Sequence, residues 1–215
     1  MTPTHEPRSF QPLPGRTTSR MADYEALLWD LLDLVGAEPP PRGERDWVHR
    51  ARWTAGKAVG RRAEEGDGVQ DEWFDPLVRA MILEPDPSFS RQLVEPALAA
   101  FGRDRVQLAL LTHLETGAPA DAAGAARAWY WSNRQFRSSP FPTSPDLSRR
   151  YHHAALHRFV ADEDLDVRRC ILPRLPLHPG WYPAELHDLV AEAVRIARTS
   201  DDSYLRHRVE IQVTG

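Results

Sequence analysis

Among its 215 residues the sequence has one cysteine, Cys170, and one lysine, Lys57. A single thiol excludes an internal disulfide framework and fits a reducing cytoplasm. Scarce lysine beside abundant arginine reads as the codon bias of a GC-rich bacterial genome. No run of about 18 apolar residues occurs, which argues against a membrane-spanning helix. The opening "MTPTHEPRSFQPLPGRTTSR" lacks the apolar stretch of a secretory signal. Its Pro, Ser and Thr content predicts a disordered tail over 1–20, with Met21 opening the first helix and standing as a second candidate start. Strand signals are missing as well, since no stretch alternates apolar and polar residues between turn residues. The fingerprints G-x-S-x-G, H-E-x-x-H, G-x-x-x-x-G-K-[ST] and G-x-G-x-x-G are all absent, so no catalytic residue, cofactor or metal is expected. The net charge of −4 gives no overall pull toward nucleic acid.

What remains is helix. "MADYEALLWDLLDLVG" sets Tyr24, Leu27, Leu28, Leu31, Leu32 and Val35 at helical spacing, with Gly36 placed to end the segment. "AEPPPRG" is a stop and a link, and a second helix follows over about 44–62. Together these make a first region, 21–72. From 73 to 215 helical segments succeed one another near 73–84, 88–101, 103–115, 119–132, 147–161, 164–175, 182–199 and 201–212. The longest break, "SNRQFRSSPFPTSPD" at 132–146, is too rich in Pro and Ser for regular structure. The fold class expected is all-α.

Within this helical region one phrase recurs. "DPLVRAMIL" from Asp75 and "DLDVRRCIL" from Asp164 share Asp, then Val, Arg and Ile-Leu at equal offsets. "DDSYLRHRV" repeats the pattern with Asp202, Leu205 and Arg206, and Asp121 opens a weaker copy. These aspartates are separated by 46, 43 and 38 residues, close to the roughly 40–47 of two- and three-helix repeat units. In each copy the Asp is placed to cap a helix, and Val78, Val167 and Leu205 begin an inward stripe that also takes in Cys170. Arg79, Arg168 and Arg206 point away from it, toward acids on a neighbouring unit. Pro173 should end the 164–175 helix.

Asp-x-x-Val-Arg on the second helix of a hairpin, in units of this length, resembles the HEAT-repeat family over roughly 73–213. That resemblance implies a short α-solenoid of stacked helical hairpins, with 21–72 as its N-terminal helical cap, a concave face for a partner and no chemistry of its own.

Three candidate surfaces follow. Trp129, Tyr130 and Trp131 cannot all face inward, because successive helical residues lie about 100° apart; with Arg134 and Arg137 nearby they make a partner-binding candidate. Between Arg42 and Arg62 seven basic residues face two acids, and Trp47, Arg50, Arg52, Trp53, Lys57 and Arg61 form a nucleic-acid candidate. The opposite expectation is a solvated face paired with the acids of "EEGDG". His153 and His157, at i and i+4, suit a metal only if a third ligand arrives from elsewhere. The leading expectation is a non-catalytic, cytoplasmic scaffold that binds a protein through its concave face or the 129–146 region. The alternative is a nucleic-acid-binding or repair protein using helix 44–62.

Overall fold

The computed structural model describes residues 18–214 apart from 44, 67, 137, 138, 140 and 141. The described residues are all-helical: α1 Thr18–Leu34, α2 Trp47–Glu65, α3 Phe74–Leu83, α4 Arg91–Phe101, α5 Arg103–Thr116, α6 Pro119–Ser132, α7 Pro145–Ala161, α8 Leu165–Ile171, α9 His187–Thr199 and α10 Ser203–Thr214. The expected segments fall on these helices, though 88–101 starts only at Arg91 and 182–199 only at His187, with two further local differences. The first helix begins at Thr18, upstream of Met21, and the expected tail lies otherwise outside the described residues. Helix α8 ends at Ile171 and tightens into a 3-10 turn, Leu172–Arg174, because Pro173 has no N–H to continue the ladder.

The helices pack in two rows. In one row α1, α3, α6, α8 and α10 contact one another in succession; in the other α2, α4, α5, α7 and α9 do so, and the pairs α1–α2, α3–α4, α5–α6, α7–α8 and α9–α10 bridge the rows. Between α4 and α5 the chain stays in the same row. Gly102, the only residue between them, makes this reversal with φ +80°, a conformation strained for any L side chain. As a result α3 opens its hairpin, whereas α8 and α10 close theirs.

Two crossings depend on glycine. A Cβ on Gly56 would lie 2.1 Å from the Gln92 carbonyl oxygen of α4, and one on Gly124 would lie 2.0 Å from that of Ile82 in α3. Helix α6 extends this logic, with Ala122, Ala123, Ala125, Ala126 and Ala128 all buried. Its small side chains let α3, α4, α5 and α8 approach from several directions. One contiguous core then runs from Tyr24 and Leu28 through Leu77, Met81 and Leu110 to Phe159, Ile171 and Val209.

The repeated phrase has a structural counterpart in one row only. Asp164 accepts the Val167 N–H at 3.0 Å and Asp202 the Leu205 N–H at 2.9 Å, each capping its helix. Asp75 does not cap. The 3-10 turn Asp71–Trp73 runs directly into α3, which leaves Asp75 exposed in the first turn, where its charge still favours the dipole. Val78, Val167 and Leu205 are buried as expected.

Arginine–aspartate pairs join the same helices in sequence. Arg79 of α3 meets Asp121 of α6 at 2.7 Å, Arg127 of α6 meets Asp166 of α8 at 3.5 Å, and Arg169 of α8 meets Asp202 before α10 at 3.6 Å. The arginine expected to do this from α8 was Arg168. Instead Arg168 turns back to the Phe159 carbonyl at 3.3 Å, and Arg169, about 100° further round the helix, faces α10. Arg206 likewise bonds locally, to the Ser200 carbonyl. Cys170 also leaves the inward stripe. It is half-buried on the α6-facing flank, donating to Asp166 and accepting from Arg127, each at 3.3 Å.

Candidate interaction surface

The aromatic triplet at the end of α6 divides as helical geometry requires. Trp129 is buried and stacks on Tyr151 of α7, with ring centroids 4.0 Å apart and planes within 4°. Tyr130 points out, 36% exposed, and meets Trp131 edge-on at 5.2 Å. The Arg174 guanidinium lies over the Tyr130 ring at 4.3 Å. Trp131 is half-buried and donates its Nε1–H to the Pro87 carbonyl at 2.6 Å, tying α6 to the α3–α4 link.

This surface is held from beneath. Arg103, at the start of α5, donates to the carbonyls of Ser132, Arg134 and Ser139, and Gln107 donates to Thr143 Oγ1 at 2.8 Å. One buried guanidinium thus gathers three carbonyls of a link too irregular to satisfy them itself. Phe136 is buried, with Arg91 over its ring at 5.2 Å, while Arg134 projects its side chain to solvent. Arg137 lies outside the described residues. Beyond Arg174, the 3-10 turn Pro179–Trp181 leaves Trp181 66% exposed, its ring 6.3 Å from that of His152. Sequence reading did not single out Trp181 or Arg174. The Pro-Gly-Trp turn marks an indole on a tight corner, but nothing local shows that Arg174 meets Tyr130.

The basic helix α2 does not present its charges as one strip. Arg52 is 2% exposed and pairs with Glu84 at 2.6 Å, which removes it from any phosphate-binding set. Glu84 also accepts from Tyr24 Oη at 2.6 Å, while Arg52 donates to Gln92 at 2.8 Å and to His49 Nδ1 at 2.9 Å. Burial, and then the neighbouring Glu84 carboxylate, hold the Tyr24 hydroxyl well above its ordinary pKa. Trp47 is half-buried, stacked on Trp29. Arg50 and Arg61 are exposed, as is Trp53 at 51% with Lys57 above its ring at 5.2 Å.

His153 and His157 line an open groove of about 690 Å³ between α5 and α7. The carboxylates nearby are engaged: Glu115 pairs with Arg150 at 3.0 Å and Asp162 with Arg158 at 2.9 Å. Among the described residues no three metal-ligating side chains converge. The Cys170 thiol is pushed up to about 12, chiefly by burial, which keeps it protonated and a poor nucleophile.

No helix among the described residues is long and apolar enough to cross a membrane. The chain matches no protein-family model, no curated protein and no solved structure.

Proposed function

We propose that this chain is a short HEAT-like α-solenoid, a non-catalytic scaffold that binds a protein partner through Tyr130, Trp131 and Arg174 at the end of α6. The observation that carries this reading is the exposed Tyr130, edge-on to the half-buried Trp131, with Arg174 over its ring and the Trp131 Nε1–H held by the Pro87 carbonyl. Rigid aromatic groups beside arginine make strong anchors because little conformational freedom is lost on binding. The succession of helices in two rows and the Arg–Asp pairs along one of them support the solenoid reading, since each unit then holds its neighbour.

Affinity capture from the native host with the full chain tests the assignment. A partner retained by wild type and by Trp53→Ala, but lost by Tyr130→Ala/Trp131→Ala at unchanged melting temperature, is the expected result. Equal retention by the double variant would overturn it.

The nucleic-acid alternative keeps only the exposed members of its set, Arg50, Trp53, Lys57 and Arg61. Duplex DNA titrated at about 50 mM salt decides it, because phosphate contacts are strongest at low ionic strength. Saturable binding there that falls steeply with added salt favours that reading over the scaffold.

A further inference from the structure

A groove separate from the Tyr130 surface lies between α1 and the segment entering α2. Its volume is about 590 Å³, within the range of ligand sites, and Glu25, Ala26, Trp29, Asp30, Arg42 and Trp47 line it. Its α1 side follows from helical spacing. Tyr24, Leu28, Leu31 and Leu32 turn into the core, which leaves Glu25, Ala26, Trp29 and Asp30 on the opposite face. The two indoles stack at 5.7 Å and 26°, and Trp47 is fixed by donating Nε1–H to the Pro40 carbonyl at 3.1 Å.

The groove already holds a cation of the chain's own. Arg42 places its guanidinium carbon 4.1 Å from the centre of the Trp29 ring, well inside cation–π range. Gly43 follows with φ +85°, turning the link so that Arg42 comes back over α1. Glu25 and Asp30 are exposed and form no ion pair with a described residue. One indole face therefore carries the guanidinium of an exposed link, in a groove also lined by a second indole and two carboxylates that do not pair with it.

We propose that this groove receives the guanidinium of an arginine presented by a partner protein, and that Arg42 is its tethered occupant. A flat guanidinium stacks on an indole face while its edge N–H groups stay free for carboxylates; an ammonium group does the first less well and has no such edge. Displacing Arg42 exposes a site of matching shape and charge. The proposal stands on α1, Arg42 and Trp47 and does not depend on Tyr130 or Trp131.

The test follows the indole Nε1–H resonances of Trp29 and Trp47 in the full chain during titration with the peptide acetyl-Gly-Arg-Gly-amide. Peptides with Lys or citrulline in place of Arg serve as controls. Saturable shifts with the Arg peptide, tightened about two- to fivefold in Arg42→Ala, are expected. Trp29→Ala should abolish them. Glu25→Gln/Asp30→Asn, two surface changes that leave the core intact, should weaken them even if Trp29→Ala fails to fold. The absence of saturable shifts in both wild type and Arg42→Ala overturns the proposal. So does weaker binding in Arg42→Ala, or equal binding of the citrulline or lysine peptide.

Discussion

The helices before α5 and those after α6 are held together by different kinds of bond. In α1–α4 the tie is one buried polar cluster: Glu84 takes Tyr24 and Arg52, and Arg52 takes Gln92 and His49. In α7–α10 the ties are separate: Asp164 caps Val167, Asp202 caps Leu205 and meets Arg169, and Gln212 donates to the Leu172 and Leu175 carbonyls. The first arrangement runs through one carboxylate and one guanidinium, reaching partners up to 60 positions apart, whereas the ties of the second are mostly separate from one another. A cluster without slack should fail as a unit, whereas caps should fail one at a time.

The largest effect should come from Glu84→Ala. It leaves Arg52 buried without its carboxylate and should lower stability by about 3–5 kcal/mol, read by denaturant unfolding. If the loss is no greater than for removing a cap, the contrast between the two regions is wrong. Next comes Gly124→Ala, which drives a methyl group into the Ile82 carbonyl between the regions. A cost of about 3 kcal/mol, at the upper end for overpacking, is expected because backbone must move.

Alkali should weaken both regions. Burial raises the pKa of Tyr24 on one side and of Tyr151, Tyr182 and Cys170 on the other. The unfolded chain then loses these protons first, so stability falls as pH rises above the ordinary thiol value of 9.0, while below it the full contribution is present. Melting temperatures that stay level from pH 8 to 11 would contradict this. Asp164→Ala should cost about 1 kcal/mol, a cap and nothing more. Smallest of all, Arg198→Ala removes an exposed pair with Glu210 and should leave the melting midpoint unchanged.

The same division decides what could be read in advance. Asp164 and Asp202 were visible as caps because capping is local, and Pro173 ended α8 for the same reason. Arg52 looked like a surface cation within a basic stretch, yet its partner Glu84 lies on another helix. The one local sign was a carboxylate continuing the apolar run "AMIL". The 132–146 break was recognised as irregular, but Arg103, which organises it, sits 29 residues before Ser132 and has no sequence mark of its role. The aromatic triplet was half legible: spacing required the rings to part, and only the contacts showed that Tyr130 is the one turned outward.

The reversal at Gly102 has a bearing on how the molecule can be handled. Because the chain changes rows one time fewer than strict alternation demands, α1 and α10 sit in the same layer. Labels or surface tethers carried on exposed positions of α1 and α10 would both sit on that one layer, leaving the layer of α2 and α9 unmodified.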